Sequence, residues 1–351
     1  MKNTNLLIGK PDSGKTRGYM FSEMEKMIYE NKNLFVIDNK EEYYPRFQKI
    51  LKEKGYNIYL LNFTDPEKSQ GFNILYYPYL LYKNGNVEYA IELLQGVAAN
   101  LCKSNSLMDS FWESTAADFF VALLLMLFKE GKEEEIHLQS LSSMLSFIDI
   151  DGEKNILKMR EYLTKLEVTD PIYRLASSTV FAPIDTRGGI LSTLKTLLAP
   201  YLGRPLTLNI LSTIDLDLSK LGDKTAIFFT GHDNRNKIGI ILLEQLLFQI
   251  KKKNLEFVFV FDNLNKFPVI TYIDEFIEYA NQNKTISYFI TNNLEELQEK
   301  YPKHIFEIIK NVIDINSLDV NVDISKYTAE YPNFTSNEYE SFNLFDFFDK
   351  N

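Results

Sequence analysis

Short apolar runs that end in a polar residue or glycine alternate with amphipathic stretches through the N-terminal part of the chain. Asn5–Gly9 (Asn-Leu-Leu-Ile-Gly) reads as a buried strand, and a helix is predicted from about Lys15 to Asn31. Leu34–Asp38 is a second apolar run, followed by a predicted helix over Tyr44–Lys54. Gly55 closes that helix, and Tyr56–Asn62 supplies a third strand. Such alternation calls for parallel strands joined by crossover helices. The period then changes. Helices are predicted at Val87–Cys102, Asp109–Lys129, Leu138–Phe147, Gly152–Leu166 and Ile190–Leu202. Strand character returns at Thr225–Thr230, Phe257–Asp262 and Ile286–Ile290, with an amphipathic helix at Ile238–Lys252.

The pattern predicts an α/β fold with a mostly parallel central sheet, interrupted by an all-helical insertion. Residues 1–82 and 203–325 form the discontinuous α/β domain, and residues 83–202 form the insertion. Residues 326–351 are an acidic, aromatic tail without a clean period. Both a docking segment that orders on a partner and a last packed strand and helix fit that tail.

Composition narrows the setting. The chain has 351 residues, 45% of them hydrophobic and 25% charged, ordinary values for a soluble globular protein. Its single cysteine, Cys102, excludes an internal disulfide, and His137, His232 and His304 lack metal-ligand spacing. A reducing, cytoplasmic compartment is expected. The formal charge of −10 argues against a surface that coats nucleic acid everywhere, so any such site must be a local one. No signal peptide is expected. The apolar run Phe119–Phe128 has about half the length a bilayer requires and reads as a buried core helix.

Gly9-Lys10-Pro11-Asp12-Ser13-Gly14-Lys15-Thr16 fits G-x-x-x-x-G-K-[ST], the phosphate-binding P-loop or Walker A motif. Glycines at both ends let successive backbone N–H groups approach a phosphate chain, with Ser13 in the same loop. The helix that follows aims its N-terminus at that anion. Lys15 reaches the terminal phosphates, and Thr16 offers its hydroxyl to Mg2+. The motif lies between an apolar strand and a helix, as its chemistry demands. ATP with Mg2+ is the expected ligand. Its metal shell needs an acidic residue ending a neighbouring strand. Asp262, ending Phe-Val-Phe-Val-Phe-Asp, is the Walker B candidate. Asp38, ending Leu-Phe-Val-Ile-Asp, competes with it; the residue without this role is a helix N-cap or turn aspartate.

With these motifs placed, the order of segments resembles a TraG-type coupling protein of conjugative type IV secretion systems. These are P-loop ATPases, similar to ring helicases, that feed DNA and attached proteins into a secretion channel. The resemblance runs from about Asn5 to Ser325. It includes Asp38-Asn39-Lys40-Glu41-Glu42, similar to the family's D-P-K-G-E, and Gly71-Phe72-Asn73-Ile74-Leu75, similar to its segment ending N-P-L. Phe111-Trp112-Glu113, Ile190–Leu194 and Leu218-Ser219-Lys220-Leu221 follow in the family's order.

The resemblance implies a RecA-like domain carrying an inserted all-α domain. It also implies a hexameric ring and partners comprising single- or double-stranded DNA and relaxase or secretion-channel proteins. The expected location is cytoplasmic, at the inner face of the membrane by association; the family's N-terminal membrane anchor is not in the given sequence, as fits a soluble form, an anchorless member or a trimmed chain. Three departures bear on catalysis. The glutamate expected after Asp262 is Asn263, whose amide cannot accept a proton. The glutamine expected after the next strand is asparagine, Asn292 or Asn293. An arginine expected just before that strand is absent from Asn281-Gln282-Asn283-Lys284. Glu275 could serve as a substitute base, but it falls on a predicted helix that nothing in the sequence brings to the site.

Arg187 in Thr-Arg-Gly-Gly and Arg204 in Gly-Arg-Pro are candidates for a finger that reaches a neighbouring subunit's phosphates, against the commoner role of surface arginine. Lys251-Lys252-Lys253 closes a predicted helix, where lysines offset the helix dipole. Three functions compete. A DNA-translocating ATPase is favoured by the P-loop and the collinear segments. A non-hydrolysing nucleotide-binding adaptor that docks relaxase or substrate protein is favoured by Asn263 and the acidic tail. A HerA-like or DNA-packaging ATPase shares the core but fits the helical segments less well.

Overall fold

The computed structural model describes residues 3–103, 110–150, 152–301, 311–314 and 319–322; the tail at 326–351 lies outside them. Among the described residues there are eight strands: β1 Thr4–Ile8, β2 Asn33–Ile37, β3 Asn57–Asn62, β4 Thr225–Thr230, β5 Phe257–Phe261, β6 Ile286–Thr291, β7 Asn311–Asp314 and β8 Asp319–Val322. The helices are α1 Phe21–Tyr29, α2 Tyr43–Glu53, α3 Tyr76–Lys83, α4 Val87–Leu101, α5 Ser110–Glu130, α6 Leu138–Ile150 and α7 Gly152–Leu163. They continue with α8 Pro171–Val180, α9 Ile184–Leu202, α10 Pro205–Ile210, α11 Asn236–Lys253, α12 Ile273–Gln282 and α13 Leu294–Lys300.

By its own contacts the chain falls into two compact units. The first comprises Met1–Ile58, Gly222–Phe229 and Asn254–Asn351, and the second Tyr59–Leu221 and Thr230–Lys253. These bounds differ from a division at 83 and 202, because α3 and α11 both pack on α4 and so group with the helices. Gln245 of α11 donates to the Ile74 carbonyl at 2.8 Å, and Tyr77 of α3 donates to Gln249 of α11 at 2.6 Å.

The sheet is ordered β3-β4-β2-β5-β6-β1-β7-β8, and the chain leaves the first unit within β3. Strands β1, β2, β4, β5 and β6 pair in parallel with one another, β7 pairs parallel to β1, and β8 runs antiparallel to β7. Every residue of β1, β2, β4, β5 and β6 is buried, which is why these strands read as continuous apolar runs instead of alternating ones. Aromatic side chains fill the space under α12. Phe276 meets Phe259 edge-on at 5.0 Å, and Phe261 stacks on Phe289 at 5.1 Å, both within the favoured range for ring pairs.

In the helical unit, α5 packs on α4, α8 and α9. Its segment Phe111–Glu130 is long and apolar enough to cross a membrane by length and composition, longer than the run Phe119–Phe128 alone suggests. However, 61% of its most apolar window is buried inside the fold, Phe119 to Leu125 among the buried residues. Helix α9 starts at Ile184, not Ile190, and takes in the Thr-Arg-Gly-Gly segment.

Gly71 lies where two backbone segments cross. Its N–H donates to Asp215 Oδ2 at 2.6 Å and its carbonyl accepts from Leu216 at 3.0 Å. A β-carbon here would stand 2.7 Å from the Thr213 carbonyl oxygen, and a hydrogen-bonded backbone cannot move aside cheaply. Gly71→Ala is therefore expected to cost about 1–3 kcal/mol, read as a lower denaturation midpoint by circular dichroism.

Candidate functional site

The loop between β1 and α1 owes its shape to a few backbone positions. Asp12 (φ 62) and Gly14 (φ 89) are left-handed, a region that Gly and Asp enter at low cost. Ser13 N–H closes the turn onto the Lys10 carbonyl at 3.2 Å. Gly9 must lack a side chain, since a β-carbon there would meet Ser13 Oγ at 2.5 Å and the Lys15 stem at 3.1 Å. The helix that follows opens with wide turns over Lys15–Met20: the N–H groups of Gly18 and Tyr19 share the Gly14 carbonyl, at 2.8 and 3.1 Å. The helix predicted from Lys15 thus starts there, with regular α-helical turns only from Phe21.

Lys15 is buried and folds back over the loop. Its Nζ donates to the carbonyls of Gly9 and Lys10, the latter at 2.6 Å. A phosphate competes with these carbonyls for the ammonium. Burial lowers the Lys15 pKa, Asp262 opposes that shift, and Lys40 adds to it.

Asp262 follows β5. Its Oδ2 accepts from Thr16 Oγ1 at 2.9 Å and from the Tyr43 hydroxyl at 3.0 Å. Burial raises its pKa, while those two hydrogen bonds pull it down. Thr16 and Asp262 are 246 residues apart in sequence, and the sheet brings them together. A hydroxyl and a carboxylate in contact beside a phosphate loop form a donor set of hard oxygens, which suits Mg2+.

Asp38 has the other role. Its Oδ1 accepts the Glu42 N–H at 2.8 Å, and its Oδ2 accepts those of Tyr43 and Tyr44 at 2.9 and 3.0 Å. It therefore caps α2. Burial raises its pKa to about 6, against the pull of those three bonds. The capped turn presents Tyr43, only 1% exposed, to Asp262.

These groups line one cleft of about 340 Å³, which Ser13, Gly14, Lys15, Thr16, Asp262, Asn263 and Asn292 share with Asp12, Arg17, Lys40 and Glu42. Gly9 lies beneath the loop and does not face the cleft. Asn292 lines it, whereas Asn293 caps α13 by accepting the Glu295 N–H at 2.8 Å. Asn263 has φ 63, a left-handed conformation in which asparagine is enriched. The turn after it is pinned by Lys300, whose Nζ donates to the carbonyls of Leu264 at 3.2 Å, Asn265 at 2.9 Å and Phe267. Asn265 also accepts from Thr291 and donates to the Asn293 carbonyl at 3.2 Å, so the ends of β5 and β6 are tied to each other.

Other candidates lie elsewhere. Glu275 is on α12 and is not among the residues lining the cleft. Arg187 is not in a loop. It occupies the first turn of α9, 3% exposed, and donates to Glu153 and to the Ala182 carbonyl at 2.9 Å. Arg204 is exposed, at the start of α10. Lys253 donates to the carbonyls of Ser219 and Leu221 at 2.7 and 2.9 Å, a packing role within its own unit. Sequence reasoning gave no role to Arg17, Lys40, Glu42 or Tyr43. The available signal was Asp38 itself, an aspartate placed to cap the next helix and bring its first residues to the same edge.

Comparisons with known proteins bear on the family and the fold. The family described as type IV secretory system conjugative DNA transfer matches residues 3–331. No curated protein matches the chain. Among solved structures, the plasmid coupling protein TrwB in complex with ADP and Mg2+ is similar with a TM-score of 0.59 and 11% identity, over 88% of this chain and 69% of that one. TrwB with the non-hydrolysable ATP analogue ADPNP gives 0.57 and 12%, over 88% and 69%. VirB4 of Thermoanaerobacter pseudethanolicus gives 0.52 and 9%, over 93% and 79%. At such identities the likeness concerns the fold alone, an α/β fold with a mostly parallel sheet and inserted helices.

Proposed function

The chain belongs to the type IV secretory system conjugative DNA transfer family, and on that premise we propose that it is an ATP-binding coupling protein that moves DNA toward a secretion channel. The observation that carries the nucleotide reading is the 2.9 Å hydrogen bond from Thr16 to Asp262, beside the loop that holds Lys15. In this reading the backbone N–H groups of Gly14 and Lys15 cradle the phosphates, and the Lys15 ammonium leaves its carbonyl partners for phosphate oxygens. Thr16 and Asp262 would hold Mg2+, which when bound neutralises charge on the phosphate oxygens. Tyr43 keeps the Asp262 carboxylate oriented. Asn263 and Asn292 orient water by hydrogen bonds.

The unit of Met1–Ile58, Gly222–Phe229 and Asn254–Asn351, which holds the cleft, supplies the nucleotide-binding function. Single- or double-stranded DNA is the cargo, a hexameric ring of copies the working form, and the cytoplasmic face of the membrane its place by association. The test is phosphate release with and without single-stranded DNA, alongside oligomer mass in solution. The expected result is turnover that DNA increases several-fold, and a ring. Bound nucleotide with no turnover would favour the adaptor reading, which draws support from Asn263 in the cleft.

A further inference from the structure

Asn263 lines the cleft after Asp262 and its amide cannot accept a proton, but three carboxylates line the same cleft: Asp12, Glu42 and Asp262. Asp262 is occupied by Thr16 and Tyr43. Asp12 is exposed at the outer turn of the phosphate loop. Glu42 differs from both, and the sheet explains its position. Strand β2 lies beside β5 with Ile37 opposite Phe261, so the chain leaving β2 emerges next to Asp262 and Asn263. Asp38 then fixes the backbone of Glu42 through the 2.8 Å bond to its N–H. The Glu42 carboxylate lies close enough to Asp262 to raise that group's pKa by its charge. Its Oε1 accepts from Arg17 at 2.8 Å, which orients the group through one oxygen.

We propose that Glu42 is the general base of ATP hydrolysis in this chain, supplying from the end of β2 the carboxylate that Asn263 does not. The proposal rests on the ATPase reading above. In the step, a water oxygen bonds to the γ-phosphorus as the bond from that phosphorus to the β,γ-bridging oxygen breaks. The bridging electron pair leaves with ADP. The water's proton passes to the Glu42 carboxylate and is released with inorganic phosphate. An amide at 263 can hold the water but cannot take its proton.

The competing role for Glu42 is a surface ion pair only. Arg17 is 77% exposed in that pair, and exposed pairs contribute little to stability, so Glu42→Gln should fold normally. The test compares wild type and Glu42→Gln for ATP turnover and for affinity toward a fluorescent ATP analogue. Glu42→Gln is expected to lower kcat by about 10²–10⁴-fold and to leave the dissociation constant unchanged. If wild type turns over ATP and Glu42→Gln matches it, Glu42 is not the base and the ATPase reading stands. A loss of affinity equal to the loss of kcat makes Glu42 a binding group and overturns the proposal. Wild type that binds nucleotide without turnover removes the hydrolysis reading, and this proposal with it.

Discussion

Lys15→Ala is expected to raise the dissociation constant for ATP or ADP by roughly tenfold to a hundredfold, the equivalent of the 1.5–3 kcal/mol of a hydrogen bond to a charged group. The effect should be on binding and not on folding. In the free protein the ammonium bonds the carbonyls of Gly9 and Lys10, and both can take water once the side chain is gone, because the loop borders an open cleft. Residual affinity should persist, since the backbone N–H groups and the left-handed turns at Asp12 and Gly14 do not depend on the lysine. Titration with a fluorescent nucleotide, paired with a thermal melt, reads both quantities. An unchanged dissociation constant would mean that the phosphates bind elsewhere.

Asp262→Asn should have the larger effect on turnover. In the wild type one oxygen, Oδ2, receives both the Thr16 and the Tyr43 hydroxyls. An amide keeps the shape but loses the negative charge, so it is a poor ligand for a hard dication. The contribution of a metal to a phosphoryl-transfer barrier is several kcal/mol, so turnover should fall by at least about 10²-fold. The sharper sign is in binding: Mg2+ strengthens nucleotide binding in the wild type and should cease to do so in the variant. Titrations in Mg2+ and in EDTA read this difference, and an undiminished Mg2+ effect would place the metal contact on another residue.

Some of this was legible in the sequence because it depends on local chemistry. The phosphate loop is contiguous, so spacing alone finds Lys15 and Thr16. The buried strands β2, β5 and β6 are continuous apolar runs that leave few alternatives. Helices α8 and α10 went unpredicted although each opens with proline, and Asp170 caps α8 by accepting the Ile172 N–H at 2.8 Å; their capping signals were readable where their period was not. The sequence favoured Asp262 over Asp38 without deciding between them. Both end apolar strands, and only the sheet order shows which one lies against Thr16. The cleft residues Lys40 and Glu42, and Tyr43 against Asp262, were missed for a related reason. Their role follows from the pairing of β2 with β5, segments far apart in sequence, on which hydrophobic pattern says nothing.

The left-handed turn at Asn263 sets a limit on how this site can change by single substitutions. Glycine avoids the left-handed cost, and asparagine or aspartate offsets part of it by hydrogen-bonding locally through a short polar side chain, whereas glutamate, with a longer side chain, bears more of that cost of about 1–2 kcal/mol. Lys300 holds the turn in place through three carbonyls. A lineage or a designer returning glutamate to position 263 therefore faces two linked changes, the residue itself and the clamp that fixes its backbone. Libraries that vary 263 alone should return a narrow set of residues, and libraries that also vary 300 a wider one.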